Sequence, residues 1–417
     1  HIAKQAKSPN QINHLTPPIL SDIVMKLLAK NAEDRYQTTY SLKADLTECL
    51  RQLKQTGKIN AFSIAARDIS DRLRIPEKLY GREAEIQSLL QSFSYVEQGQ
   101  RQLILVAGYA GVGKSALVQE VHKVMKRGYF IAGKYDQFKQ NEPYIALVQA
   151  FDDFVQQILM GSKLQLERWK IVLQQKLGPN GNVITEMFPA FELIIGPQPK
   201  AKPLEPIESQ NRFNWVFLDF MLGLASAEHP LTFFLDDLQW ADPSSLKLLE
   251  LMLTHAPIHH LMIIGAYRDN EVDQTHSLMM MLDDLVKAKF DYKTLLLKPL
   301  DLAQVSTLLM DTLHATKQSL SALAELCYAK TQGNPFFLGQ LLQTLYQDGL
   351  IYFETHYGVW NFNIAAIRNV SITNNVVDLM TKKIHKLKPT TQTILHLAAC
   401  FGFNFDLNTL AILYKKP

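Results

Sequence analysis

Apolar residues along this chain come in two rhythms. Five short runs, "LILVAG" from Leu103, "YFIAG" from Tyr129, "LTFFLDD" from Leu231, "LMIIGAY" from Leu261 and "TLLLKPL" from Thr294, are rich in aliphatic and aromatic residues and end at turn or polar signals. Between them leucine, isoleucine and valine return every three or four residues. Strands alternating with helices predict a parallel sheet with helices on both faces, an α/β fold. The stretch from about 140 to 229 is long, helix-like and ends in "NRFNWVFLDFMLGLASAEHP", so it reads as a helical insertion between the second and third strands.

The flanks follow the helical rhythm. Upstream, "LSDIVMKLLAK" and "TTYSLKADLTECLRQLK" predict two helices, and residues 58–78 read as a polar linker with one short helix. Downstream of Leu300, "LAQVSTLLMDTLH", "SLSALAELCYAK" and "PFFLGQLLQTLYQDG" predict three helices, the last opening on Pro335, which is tolerated in a first turn. "LIYFETHYGVWNFN" then alternates like a hairpin and is followed by the helical patterns "NNVVDLMTKKIHKL" and "TQTILHLAAC", so a winged-helix unit is expected.

Composition narrows the function little. The 417 residues are 47% hydrophobic, enough for two or three cores. Lys plus Arg number 43 against 40 Asp plus Glu, and a formal charge of +3 makes neither nucleic acid nor an anionic membrane the default partner. The three cysteines, Cys49, Cys327 and Cys400, are scattered and form no CxxC pair, which points to a reducing, cytoplasmic setting. The longest apolar region is interrupted by Asp219, Glu228, His229 and Pro230, so no membrane span is expected. The start at His1 and the stop on "LYKKP" lead us to expect a piece of a longer polypeptide.

The chemistry lies in "GYAGVGKSAL". Gly108, Gly111, Gly113, Lys114 and Ser115 fill G-x-x-x-x-G-K-[ST], a pattern met by chance on the order of once in a hundred chains this long. Glycines let backbone N–H groups converge on phosphate oxygens, and the following helix adds its positive end. The expected phosphate cradle is Gly108, Gly111, Val112, Gly113, Lys114, Ser115 and Ala116, with Lys114 bridging the outer phosphates and the Ser115 hydroxyl as a ligand of Mg²⁺. "LTFFLDDLQWAD" ends a strand in adjacent carboxylates. Asp236 is expected to hold the metal through water and Asp237 to orient the attacking water. Arg268, closing the next strand, is placed to sense the γ-phosphate or else to pair with Asp269 or Glu271. The fold class is then a P-loop NTPase sheet flanked by an N-terminal helical segment and a C-terminal helical lid plus winged helix.

"GYAGVGKSAL", "FFLDDLQWAD", "IIGAYRDNEV" and "GNPFFLGQLLQTL" together resemble the ATPase module of the STAND class, related to AAA-type ATPases, over about 79–390. The resemblance implies ATP or ADP with Mg²⁺, slow hydrolysis and assembly in the ATP-bound form. "LYGREAEIQSLL" is similar to that class's opening motif, implying that Tyr80, Gly81 and Arg82 lie near the adenine. "GNP" at Gly333, Asn334 and Pro335 resembles its G-x-P lid motif, implying contact with the base, through Pro335, and a role in opening and closing. "FIAGKYDQFKQNEPYIALVQAF" and "AEDRYQTTYSLKADL" resemble large bacterial, often cyanobacterial, hybrid sensors that join a serine/threonine kinase, this ATPase, a helical region, a GAF domain and a histidine kinase. On that resemblance, 1–57 are the last helices of a kinase C-lobe, 58–78 a linker, 79–300 the ATPase core, 301–348 a lid, 349–388 winged-helix-like and 389–417 the start of a downstream helical region. On the same resemblance Arg35 would pair with an activation-segment glutamate that this chain does not contain, so Arg35 is expected to be unpartnered.

Tyr267-Arg268-Asp269 imitates a kinase catalytic loop, but Gln274 stands where the magnesium-binding Asn belongs, and no kinase glycine loop or Asp-Phe-Gly is present. His255, His259 and His260 read as a connecting loop in preference to a metal site, and Lys382, Lys383, Lys386 and Lys388 as a solvated face in preference to a DNA-binding one. Trp240 and Trp360 read as core or interface anchors. The expected function is an ATP-binding switch acting on attached kinase and sensor domains. An ATP-dependent transcriptional regulator or scaffold, or a fragment of an active protein kinase, are the alternatives.

Overall fold

The computed structural model describes residues 6–29, 34–65, 71–125, 127–139, 142–254, 258–354, 358–369, 381, 384–385, 387–400 and 406–414. The chain divides into two compact units.

One unit comprises 79–299 with 334–336 and the described part of 375–417. Its centre is a five-stranded parallel sheet in the order β2-β3-β4-β1-β5, with β1 at Arg101–Ala107, β2 at Tyr129–Lys134, β3 at Leu231–Asp236, β4 at Leu261–Tyr267 and β5 at Lys293–Leu296. The central strands are buried on both faces, which is why their sequences are unbroken apolar runs. Side chains alternate between two separate cores. Leu103 and Leu105 of β1, Phe233 of β3 and Ile263 of β4 enter one core with the insertion helices. Ile104 and Val106, Phe234 and Ile264 enter the other with Leu89, Val96, Leu117 and Val121 of the helices Glu83–Glu97 and Lys114–Val124.

The insertion is helical as expected, with long helices at Ile145–Leu159, Lys163–Leu177 and Pro206–Leu224. It is core rather than appendage: Phe151 lies 4.6 Å from Phe188 and 5.4 Å from both Phe220 and Phe233, measured between ring centres. Because the chain leaves β1 for the far edge and later returns to β5 on β1's other side, the order reverses beside β1. The carboxyl ends of β1, β3 and β4 meet at that switch point, where open α/β sheets bind ligands.

The second unit comprises 1–78, 300–333 and 337–374. The helices Pro18–Leu27 and Thr39–Thr56 enclose a small core of Ile19, Ile23 and Cys49. Part of the stretch expected to be a linker folds back here: Phe62 and Ile64 pack on that core, and the buried Asp45 carboxylate accepts from Tyr36 Oη and the Ala65 amide, both at 2.6 Å. Arg35, expected to be unpartnered, is engaged instead by backbone: its Nε donates to the Ala29 carbonyl at 2.8 Å. Helices follow at Leu302–Leu313, opened by an Asp301/Gln304 capping box, and at Lys317–Thr331. β6 (Ile351–Glu354) and β7 (Val359–Phe362) form the expected antiparallel hairpin, with Trp360 edge-on to Phe353 at 5.4 Å. Most of the following helical pattern, including Lys382, Lys383 and Lys386, lies outside the described residues. Among the described residues no helix is long and apolar enough to cross a membrane.

Candidate nucleotide-binding site

The loop 108–113 leaves β1 at the switch point and feeds directly into the helix Lys114–Val124. Gly111 and Gly113 sit at φ +78° and +101°, corners that side chains rarely adopt, and a Cβ on Gly111 would lie 2.8 Å from the Phe336 Cβ. The amides of Gly113, Lys114, Ser115 and Ala116 find no acceptor among the described residues. They are the first-turn donors that an α-helix cannot satisfy itself.

Meanwhile the loop's carbonyls are satisfied by donors. Lys114 Nζ donates to the carbonyls of Gly108 and Tyr109 at 2.6 and 3.1 Å. Asn334 Nδ2 donates to Ala110 at 2.9 Å, the Phe336 amide to Gly111 at 3.3 Å, and Arg82 Nη2 to Val112 at 3.4 Å. Lys114 is 8% exposed. Burial pulls its ammonium below the ordinary lysine value, against the opposing pull of Asp236 and Asp237. A buried cation beside unsatisfied amides fits a polyanion such as a nucleotide phosphate chain.

Ser115 Oγ donates to Asp236 Oδ2 at 2.8 Å, so the hydroxyl and carboxylate expected to share Mg²⁺ are brought together from positions 121 residues apart. Hard oxygen donors on one hydroxyl and one carboxylate are the donor set Mg²⁺ takes beside phosphate. Asp237 is 5% exposed and adopts a left-handed backbone at φ 56°. Three donors surround it: Lys134 Nζ at 2.9 Å, Gln239 Nε2 at 2.9 Å and Arg268 Nε at 3.6 Å. Arg268 also pairs with Glu271 at 2.7 Å and lies over the Trp240 ring at 4.7 Å, so the alternative pairing weighed for it is present.

Lys134 and Gln239 were not singled out by the sequence. Lys134 closes β2, and only the register that places it opposite Asp236 brings it to the acids. Arg82 is buried, donating to the Lys298 carbonyl at 2.5 Å as well as to Val112, and burial lowers its guanidinium pKa. It therefore grips the outside of the phosphate loop. Tyr80 is buried, and Gly81 turns at φ 62° beside it. Pro335 opens the helix Pro335–Gln347 between the two residues that touch the loop. The rings of His259 and His260 lie 3.0 and 2.9 Å from the carbonyls of Gly99 and Val96 through Nδ1, while His255 lies outside the described residues.

Residues 78–264 match the family model of the AAA ATPase domain. The chain is also similar to several histidine kinases, among them the following two. It is 33% identical to the Hybrid signal transduction histidine kinase G of Dictyostelium discoideum over 99% of this chain and 14% of that protein. It is 22% identical to the Peroxide stress-activated histidine kinase mak3 of Schizosaccharomyces pombe over 96% of this chain and 20% of that protein. The chain thus spans a fifth or less of the length of these relatives. Both come from eukaryotes, where the sequence resemblance had pointed to bacterial proteins. Among solved structures, Cdc6p from Pyrobaculum aerophilum is 14% identical with a TM-score of 0.40, covering 66% of this chain and 65% of that one.

Proposed function

We propose that this chain is an ATP-binding, slowly hydrolysing switch module of a multidomain signalling protein. The observation that carries the reading is the 2.8 Å contact between Ser115 and Asp236 beside the free first-turn amides and buried Lys114. The amides of 113–116 and Lys114 bind the phosphates of ATP or ADP, and Ser115 with Asp236 holds Mg²⁺. When bound, the metal supplies charge neutralisation of the phosphate oxygens. Asp237 orients the attacking water and Arg268 meets the γ-phosphate; both first have to be released from Lys134 and Glu271 respectively. The catalytic contribution is positioning and charge stabilisation. Tyr80, Gly81 and Pro335 face the adenine.

The similarity to much longer histidine kinases supports an output directed to kinase and sensor domains of the same polypeptide, in the cytoplasm, with residues 1–57 ending a serine/threonine kinase domain and 301–388 forming lid and winged helix. ATP-dependent self-association belongs to the same reading. Calorimetry with ATP and ADP in Mg²⁺, on the chain and on Lys114→Ala, with turnover followed in the same samples, tests it. Micromolar binding lost in the variant, with slow turnover, is expected. An intact chain that binds neither nucleotide would sink the reading.

A further inference from the structure

The carbonyl side of the loop is held by donors, whereas the amides of 113–116 find no acceptor among the described residues. Lys114 serves the carbonyls of Gly108 and Tyr109, which are its own neighbours, but those of Ala110 and Gly111 are held by Asn334 and Phe336, more than 220 residues away in sequence. Asn334 bonds through both ends of its side-chain amide. Its Nδ2 donates to Ala110 at 2.9 Å, and its Oδ1 accepts from the Phe336 amide at 3.1 Å, capping the first turn of the helix Pro335–Gln347. Gly111 completes the contact, because its missing Cβ leaves room for the Phe336 side chain.

We infer that Asn334 is a positioning residue that couples phosphate occupancy of the loop to the start of this helix. The inference rests on the nucleotide-switch reading. Phosphate oxygens attract Lys114 Nζ away from the Gly108 and Tyr109 carbonyls, since a charge-assisted bond to an anion outweighs bonds to neutral acceptors. The peptide planes of the loop reorient as that cation leaves, and the planes at Ala110 and Gly111 carry Asn334 and Phe336 with them. Phe336 lies in the first turn of the helix Pro335–Gln347, so the change is registered where that helix begins. A coupling of this kind needs a bond that differs between the occupied and empty loop, and the Asn334–Ala110 bond is one.

Two variants separate bridging from capping. Asn334→Ser keeps a side-chain oxygen able to cap the helix and removes the Nδ2 donor; Asn334→Asp does the same with a carboxylate. The readout is amide hydrogen exchange at Phe336, Phe337 and Leu338 with and without ATP and Mg²⁺, alongside ATP affinity and the thermal midpoint. In the unaltered chain ATP slows exchange at these amides. In Asn334→Ser the midpoint and the ATP affinity stay close to the original, and the ATP-induced slowing falls about tenfold, the effect of losing one hydrogen bond. Slowing as large as in the unaltered chain overturns the coupling. So does loss of folding in both variants, which would make Asn334 a structural residue only. If the unaltered chain binds ATP without slowing these amides, the coupling alone fails; if it does not bind ATP, the nucleotide reading fails with it.

Discussion

Asp237→Asn isolates one charge. The substitution keeps the shape of the side chain, and Asn tolerates the left-handed backbone at φ 56° as well as Asp does, so neither packing nor strain changes. What changes is the anion that Lys134, Gln239 and Arg268 surround at 2.9, 2.9 and 3.6 Å. A hydrogen bond to a charged group contributes about 1.5–3 kcal/mol. Lys134 is 41% exposed, so solvent screens its share, and the net loss of stability should be about 1–2 kcal/mol. Turnover should fall much further. Loss of a positioned acid–base group costs about 10²–10⁴ in rate, or about 3–5 kcal/mol of barrier. ATP affinity should stay within about threefold, because the phosphates are held by the amides of 113–116 and Lys114. Urea unfolding, calorimetry and single-turnover hydrolysis read the three quantities separately. Turnover within tenfold of the unaltered chain refutes the role given to Asp237, and affinity lost in step with turnover would make it a binding residue instead.

Ser115→Ala should leave metal-free nucleotide binding intact and remove the gain that Mg²⁺ adds, about tenfold or more in titrations with and without the metal. Arg82→Met should lower stability by about 2–3 kcal/mol in urea unfolding, since it leaves the Lys298 and Val112 carbonyls without their buried donor. Native protein should expose one of its three thiols to a maleimide: Cys400 is exposed, while Cys327 is buried with its pKa pushed up to about 12, and Cys49 is buried and also raised. The pH dependence of stability should carry Lys114's signature. Its folded pKa lies below the ordinary 10.5, so the unfolded chain binds the proton more tightly and stability from this group rises as pH climbs through that interval, a slope that Lys114→Met should lack.

Legibility in the sequence followed the range of the interaction. Strands and helices are decided by local periodicity, and "LMIIGAY" and "LAQVSTLLMDTLH" predict β4 at Leu261–Tyr267 and the helix Leu302–Leu313 to within a residue. The phosphate loop was legible because one short segment supplies its glycines, its cation and its helix end. Asp236 stood out only beside that loop motif, because acids that follow an apolar strand are on their own more often a solvated turn. Lys134 carries no such mark: a lysine ending a strand is ordinary, and it acquires meaning only through the β2–β3 register that sets it against Asp236 and Asp237.

Asn334 and Arg82 show the same limit on the other side of the loop. Each sits in a motif whose resemblance points toward the adenine, yet Asn334 Nδ2 and Arg82 Nη2 donate to backbone carbonyls at Ala110, Val112 and Lys298. A sequence motif identifies which side chain is required; it does not identify the atoms that side chain meets. Carbonyl groups are the same at every position and leave no trace in the sequence, so a residue whose partner is backbone can be recognised only once the chain has brought the two together. For a phosphate loop this matters physically, because the direction of each amide is fixed by whatever holds the adjoining carbonyl. On the nucleotide reading the loop is shaped partly from behind, and loss of the Arg82 bond to the Val112 carbonyl should weaken phosphate binding although Arg82 does not touch the phosphate.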